Sequence, residues 1–263
     1  MSTPGSGSVI SRRGAALDLL AGLLPAAVGA GAFAAVAGAS LVLQVGAATA
    51  IYAAVAVGIL QALPPDAPGP GLGAANRVTL GRMILALPLV GATLLPGVLS
   101  DGVRWWVVVL GTVVLILDGV DGRVARRTGT TTRFGARFDM ETDAALMMVL
   151  SVLVWRTDQA GAWVLAIGLM RYAFVAAAQV LPALRGDLPP SGRRKVVCVV
   201  QGVALVAALG PIIPQGLATA MCALALAMLA WSFGVDVLWL VRHEPEPLPA
   251  DVARQPSGGT GPR

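Results

Sequence analysis

Charge is scarce in this chain. Only 13% of its 263 residues are charged, against about 25% in an ordinary globular domain, and the mean hydropathy is +0.78. Such a composition excludes a soluble globular protein. Histidine occurs once, as His243, so imidazole catalysis and histidine-based zinc ligation have almost no material to work with. The two cysteines, Cys198 and Cys222, sit inside apolar runs without metal-ligand spacing and read as small core residues, with no disulfide framework. The strict apolar and polar alternation that a membrane barrel strand needs is missing as well. A nucleic-acid motif is also lacking, although the formal charge is +5 and the isoelectric point about 10.2. Basic residues gathered at the inner face of a membrane account for that charge, and no nucleic-acid partner is expected.

What the chain has is a series of continuous Ala, Leu and Val stretches of roughly 20 residues, the length that spans a bilayer as a helix. The expected architecture is all-α, a polytopic membrane bundle. Residues 1–14, Gly/Ser-rich with Arg12 and Arg13, read as a solvated tail. A cleaved signal peptide does not fit, because apolar character runs on from Ala15 to Leu63. Residues 15–63 hold two spans, near 15–37 and 40–62, and the Pro/Gly stretch 64–75 is a linker. Six further spans are expected within 76–241, near 77–98, 104–122, 136–155, 160–182, 196–212 and 215–241, before a polar tail at 242–263. With the N-terminus inside, only Arg104 and Arg156 of the 19 basic residues fall at outer loops. This places both termini and the acidic motif described next on the cytoplasmic side of a multi-pass cell-membrane protein.

The few acids are clustered. Asp118 and Asp121 are three residues apart and Asp139 and Asp143 four apart, so that each pair shares a helical face. Carboxylates at the edge of a membrane need partners, and two such faces turned together form an oxygen cage suited to Mg²⁺ or Mn²⁺. Glu141 lies two residues from Asp139 and points away from that face. Asp236, in the last span, receives no role.

The full pattern D-x-x-D-G-x-x-A-R-x₈-G-x-x-x-D-x-x-x-D, running from Asp118 to Asp143, resembles the signature of the CDP-alcohol phosphotransferase family, integral membrane enzymes of phospholipid synthesis. The resemblance implies a six-helix catalytic core over 76–241, with the two N-terminal transmembrane helices as an addition. It also implies a two-metal site on Asp118, Asp121, Asp139 and Asp143, with Asp143 as general base. Gly122 and Ala125 leave room for the nucleotide, Arg126 pairs with a motif acid or a donor phosphate, and Gly135 lets the third core helix pack closely on the second. Asn76-x-x-Thr79-x-x-Arg82 resembles the family's cytidine-diphosphate motif and places those three side chains on one stripe. The implied reaction is transfer of a phosphatidyl group from CDP-diacylglycerol to a small alcohol with release of CMP, in a homodimer among membrane lipids. Transfer of a CDP-linked headgroup to a lipid alcohol uses the same motif.

For the acceptor, the candidate residues are Arg171, Arg185, Arg193, Arg194 and Lys195. A lone intramembrane arginine such as Arg171 faces a polar cavity by default. Lys195 and Gln201 loosely resemble the basic run followed by glutamine of relatives that use glycerol 3-phosphate, although Tyr172 and the residues after Lys195 depart from it. Glycerol 3-phosphate or an inositol-type alcohol is the expected acceptor. A cation transporter or channel is the rival class, but it predicts acids spread along broken midplane helices rather than gathered in one motif.

Overall fold

The computed structural model describes residues 12–63, 71–95, 97–128, 132–186 and 188–243, and within them the side chains of 120–128, 133 and 185 lie outside the description. All regular structure among the described residues is helical. Eight long helices follow one another: α1 (Arg12–Ala37), α2 (Leu41–Ala62), α3 (Ala74–Leu94), α4 (Asp101–Thr128), α5 (Arg133–Arg156), α6 (Leu165–Val180), α7 (Gly192–Ala208) and α8 (Gln215–Arg242). A helix stands at each of the eight expected spans, although two of them do not qualify as membrane spans by length and composition, and the helix ends move for local reasons. Helix α3 stops at Leu94 because Leu95 precedes Pro96 and a residue before proline avoids the helical region. Helix α4 continues to Thr128, so Gly122 does not end it. Helix α7 closes at Ala208, four residues short of expectation, ahead of Gly210-Pro211.

Six of these segments are long and apolar enough to cross a membrane by length and composition: α1, α2, α3, α4 up to Gly119, α6 with the short 3₁₀ turn Ala162–Val164 before it, and α8. Helices α5 and α7 are the exceptions. Helix α5 carries Arg137, Asp139, Glu141 and Asp143 on its first turns, and α7, only 17 residues long, opens with Arg193, Arg194 and Lys195. Both hold part of their charge against protein, since α5 packs on α3, α6 and α7, and α7 packs on α4, α5 and α8, while Arg137 and Lys195 are exposed. Large apolar side chains such as Leu24, Val42, Ile116 and Leu238 remain exposed on the outer helices, where lipid is the appropriate solvent.

Two cores organise the bundle. Val107, Val114, Leu150, Leu205 and Cys222 lie within one that joins α4, α5, α7 and α8. A second is made by Leu19, Ala30, Ala48 and Tyr52 of the N-terminal helices with Leu80 and Ile84 of α3, and it reaches Phe138 of α5. Tyr52 donates its hydroxyl to the Leu19 carbonyl at 2.6 Å, tying α2 to α1. The N-terminal pair thus shares a core with the helices that carry the acidic motif.

Arg104 and Arg156, the two basic residues that the charge scheme leaves at outer loops, are both engaged with carbonyls. Arg104 donates to Leu209 and Gly210 at the end of α7, and Arg156 to Ala92, Thr93 and Leu95 at the end of α3. Helix C-termini present unpaired carbonyls and a partial negative charge, which is where a guanidinium is best placed. Helices α5 and α6 approach closely at Gly168, where an added Cβ would lie 2.5 Å from Cα of Met148. Backbone cannot yield as a flexible side chain can. Gly168→Ala is therefore expected to destabilise the protein by about 1–3 kcal/mol, read as a lower thermal midpoint in detergent; an unchanged midpoint would mean that the two helices separate freely.

Candidate active site

Three helices converge on one guanidinium. Arg82 of α3 is fully buried at 0% exposure, and its Nη1 lies 2.9 Å from Oδ1 of Asp118 on α4 and 2.8 Å from Oδ1 of Asp139 on α5. Its Nη2 donates to Asp143, one turn further along α5. The oxygens of Asp118, Asp139 and Asp143 all fall within 4.8 Å of one another. Like charges this close repel strongly at low dielectric, and a buried positive charge among them is what makes the cluster tolerable. The donor set is all carboxylate, as a hard divalent cation requires, so the residues fit Mg²⁺ or Mn²⁺.

The sequence reading is met unevenly. Asp118, Asp139 and Asp143 come together as their spacing implies, whereas the side chains of Asp121, Gly122, Ala125 and Arg126 lie outside the described residues. Arg82, expected on the nucleotide, lies inside the acidic cluster. Thr79 is buried one turn before it and donates to the Ala75 carbonyl at 3.3 Å. Asn76 donates through Nδ2 to the Leu72 carbonyl at 2.8 Å, with its other amide atom turned to Gly135. A Cβ on Gly135 would stand 2.6 Å from that Asn76 oxygen, so among the described residues this glycine makes room for a side chain of α3, while the end of α4 that it was expected to pack against lies outside the described side chains. Thr132 caps α5 by accepting from the Gly135 amide at 2.9 Å, which fixes the first turn of the helix.

Beside the cluster lies a cavity of about 500 Å³ between α5, α6, α7 and α8. Asp143 lines it, which Asp118 and Asp139 do not, together with Arg171, Arg194, Gln201, Ser232 and Asp236. Arg171 borders a cavity as expected, but it is not alone. Its Nη2 donates to Glu141 at 2.7 Å. Arg193 donates to Asp236 at 2.6 Å and to the Ser232 hydroxyl, also at 2.6 Å, and Arg194 reaches the same Asp236 oxygen at 3.5 Å. Lys195 is exposed, and the Arg185 side chain lies outside the description.

Sequence reasoning missed two of these groups. Glu141 and Asp236 were given no role, yet they neutralise the arginines assigned to the acceptor, across separations of 30 and 43 residues that helical periodicity does not register. The available signal was the cost of a membrane arginine without a counter-ion. Cys198 and Gln201 also line the cavity, half a helix from the basic residues of α7. Gln201 is only 4% exposed, and its side-chain nitrogen, like Nε of Arg171, is buried without a protein partner. Such donors need a ligand or water.

A helical membrane protein with a carboxylate cluster opening beside a largely apolar cavity that carries a few charged side chains defines a narrow class. Residues 72–234 match the family model described as CDP-alcohol phosphatidyltransferase, and the chain belongs to that family. Two curated relatives, both named CDP-diacylglycerol–serine O-phosphatidyltransferase and both from strains of Helicobacter pylori, are 49% identical over 49 residues. Each match spans 19% of this chain and 19% of the relative. No solved structure matches the chain.

Removing Asp236 leaves Arg193 beside it in a poorly solvated wall without its anion. Asp236→Ala is expected to cost about 3 kcal/mol, seen as a drop in thermal midpoint, and Arg193→Met in the same chain should recover part of it. Full stability of the single variant would show that the pair holds nothing.

Proposed function

We propose that this protein transfers a phosphatidyl group from CDP-diacylglycerol to a small alcohol and releases CMP. The observation that carries the reading is the double position of Asp143, which belongs to the carboxylate cluster and also lines the cavity. One side chain thus joins the place where phosphates are held to the place where an alcohol is received. The family match agrees with this chemistry.

The acceptor hydroxyl loses its proton to the Asp143 carboxylate as its oxygen bonds to the phosphatidyl phosphorus. The bond from that phosphorus to the bridging oxygen breaks, and CMP leaves with the electron pair. Asp118, Asp121, Asp139 and Asp143 would hold a divalent cation, which would supply positive charge to the two phosphates when bound. Asn76, Thr79 and Arg82 define the donor stripe with Gly122, Ala125, Arg126 and Gly135, and Arg82 keeps the carboxylates together. The cavity holds the hydroxyl in line and limits water as a competing nucleophile.

The acceptor best supported is a serine-type amino alcohol. Arg171 faces Glu141, Arg193 and Arg194 share Asp236, and Asp143 adds a third carboxylate, so the described side chains around the cavity are nearly balanced in charge. A phosphate monoester would bring two negative charges to a wall whose described arginines each already meet a carboxylate. A zwitterion adds no net charge, and its carboxylate suits the unpaired donors on Gln201 and Arg171. Serine is also what the curated relatives are named for. This reading includes a homodimer in the cell membrane, with the site and both termini cytoplasmic.

CMP release in mixed micelles with CDP-diacylglycerol and Mg²⁺ or Mn²⁺ tests the reaction, with serine, inositol, inositol phosphate and glycerol 3-phosphate offered in turn. Serine-dependent release is expected, and release with only a phosphorylated acceptor would overturn the acceptor assignment. Asp143→Asn should lower turnover by about 10²–10⁴-fold while CDP-diacylglycerol still binds. Asp121→Asn should weaken donor binding as well, and undiminished activity in Asp143→Asn would remove the assigned base. Removal of divalent ions with EDTA should stop release, and Arg82→Met, stripped of the central guanidinium, should regain thermal stability on addition of Mn²⁺ by a larger margin than the parent. Equal shifts in both would separate Arg82 from the metal site.

A further inference from the structure

The N-terminal helices precede the region that matches the family model, which starts at residue 72. Beside the apolar core they share with α3, one carboxylate ties them to the start of that region. Asp18 of α1 accepts through Oδ2 from the Leu72 amide at 2.8 Å and from Nε of Arg77 at 3.0 Å. The Leu72 carbonyl accepts in turn from Nδ2 of Asn76 at 2.8 Å. One residue, Leu72, therefore has its N–H held by α1 and its C=O, in the following peptide unit, held by the first residue of the donor stripe. Leu72 itself is only 2% exposed, packed in the core shared by α1, α2 and α3.

The backbone is shaped for this contact. Gly71 has φ +67°, in the left-handed region, and a Cβ there would lie 2.2 Å from the Asp18 oxygen. A Cβ on Gly14, one turn before Asp18, would meet the Gly71 nitrogen at 2.9 Å. Two glycines thus allow α1 to approach the chain where α3 begins. With Nδ2 of Asn76 committed to Leu72, the amide oxygen faces Gly135 at the start of α5, 2.6 Å from where a Cβ would stand. Which atom Asn76 offers to the site is decided by the Leu72 carbonyl, and Leu72 is held in place through its amide by Asp18.

We infer that Asp18 is a positioning residue for the donor site: by holding the Leu72 amide it fixes the residue whose carbonyl orients Asn76, and the N-terminal helix pair is a working part of the active site. The inference rests on the donor reading of Asn76 given above. Asp18 touches no substrate, so its effect falls on donor affinity through Asn76. Asp18→Asn keeps the size of the side chain but loses the charge that strengthens both bonds. The KM for CDP-diacylglycerol is expected to rise by about five-fold, with kcat and the acceptor KM little changed. Asp18→Glu, which retains the carboxylate, should recover part of the loss. In the double variant with Asn76→Ala the donor KM should be no higher than for Asn76→Ala alone, because both changes remove one function.

Amide hydrogen exchange over residues 71–77, compared between the parent and Asp18→Asn, supplies a readout independent of turnover. Faster exchange in the variant with the rest of α3 unchanged is expected. Unchanged exchange, an unchanged donor KM, or effects that multiply in the double variant would each overturn the inference. Absence of CMP release from the parent would instead count against the proposed reaction, and the exchange comparison would still decide whether Asp18 holds this segment.

Discussion

The burial of Arg82 among Asp118, Asp139 and Asp143 is the constraint on which the rest of the bundle turns. A guanidinium at 0% exposure in a membrane protein is tolerable only if anions surround it, and three carboxylates within 4.8 Å of each other are tolerable only around a cation. The requirement is mutual. It fixes the rotation of α3, α4 and α5 about their axes, because each must present one side chain to the same point. The two helices that fail as independent spans, α5 and α7, follow from it. Helix α5 carries two of the acids and is sheltered by α3, α6 and α7, while the apolar outer helices meet the lipid.

The same logic, charge met by charge across helices, recurs around the cavity at lower density. Glu141 with Arg171, Asp236 with Arg193 and Arg194, and Asp143 as a third carboxylate line or flank a space of about 500 Å³ and leave it close to neutral. Two buried donors, on Gln201 and Arg171, remain over. A cavity of this character selects its occupant by charge balance more than by attraction, since any net charge brought in must be carried at low dielectric. At the far end of the bundle Arg104 and Arg156 serve a purely structural end, closing the carbonyls of α7 and α3.

The N-terminal helices show how a segment outside the matched region can still belong to the site. Their apolar contacts give them a shared core with α3 and Phe138 of α5, and the polar contact through Asp18 gives that core a direction. Hydrophobic packing fixes distance loosely, whereas a carboxylate accepting from a backbone amide fixes orientation.

By itself, the sequence determined the helical class, the number of long helices, the pairing of Asp139 with Asp143 on one face, and the resemblance carried by the acidic motif. Those features are local: apolar run length and a three- or four-residue spacing are properties of one segment and survive any arrangement of its neighbours. Only the tertiary structure decided that Arg82 enters the cluster, that Asp143 opens on the cavity while Asp118 and Asp139 do not, that Gly135 meets Asn76, and that Glu141, Asp236 and Asp18 have partners at all. These depend on how each helix is turned and docked, and the partners stand 30 to 61 residues apart in the chain. No periodicity links residues at such distances. What links them is the cost of leaving a charge unpaired where water cannot reach, and that cost is settled only when the helices have closed on one another.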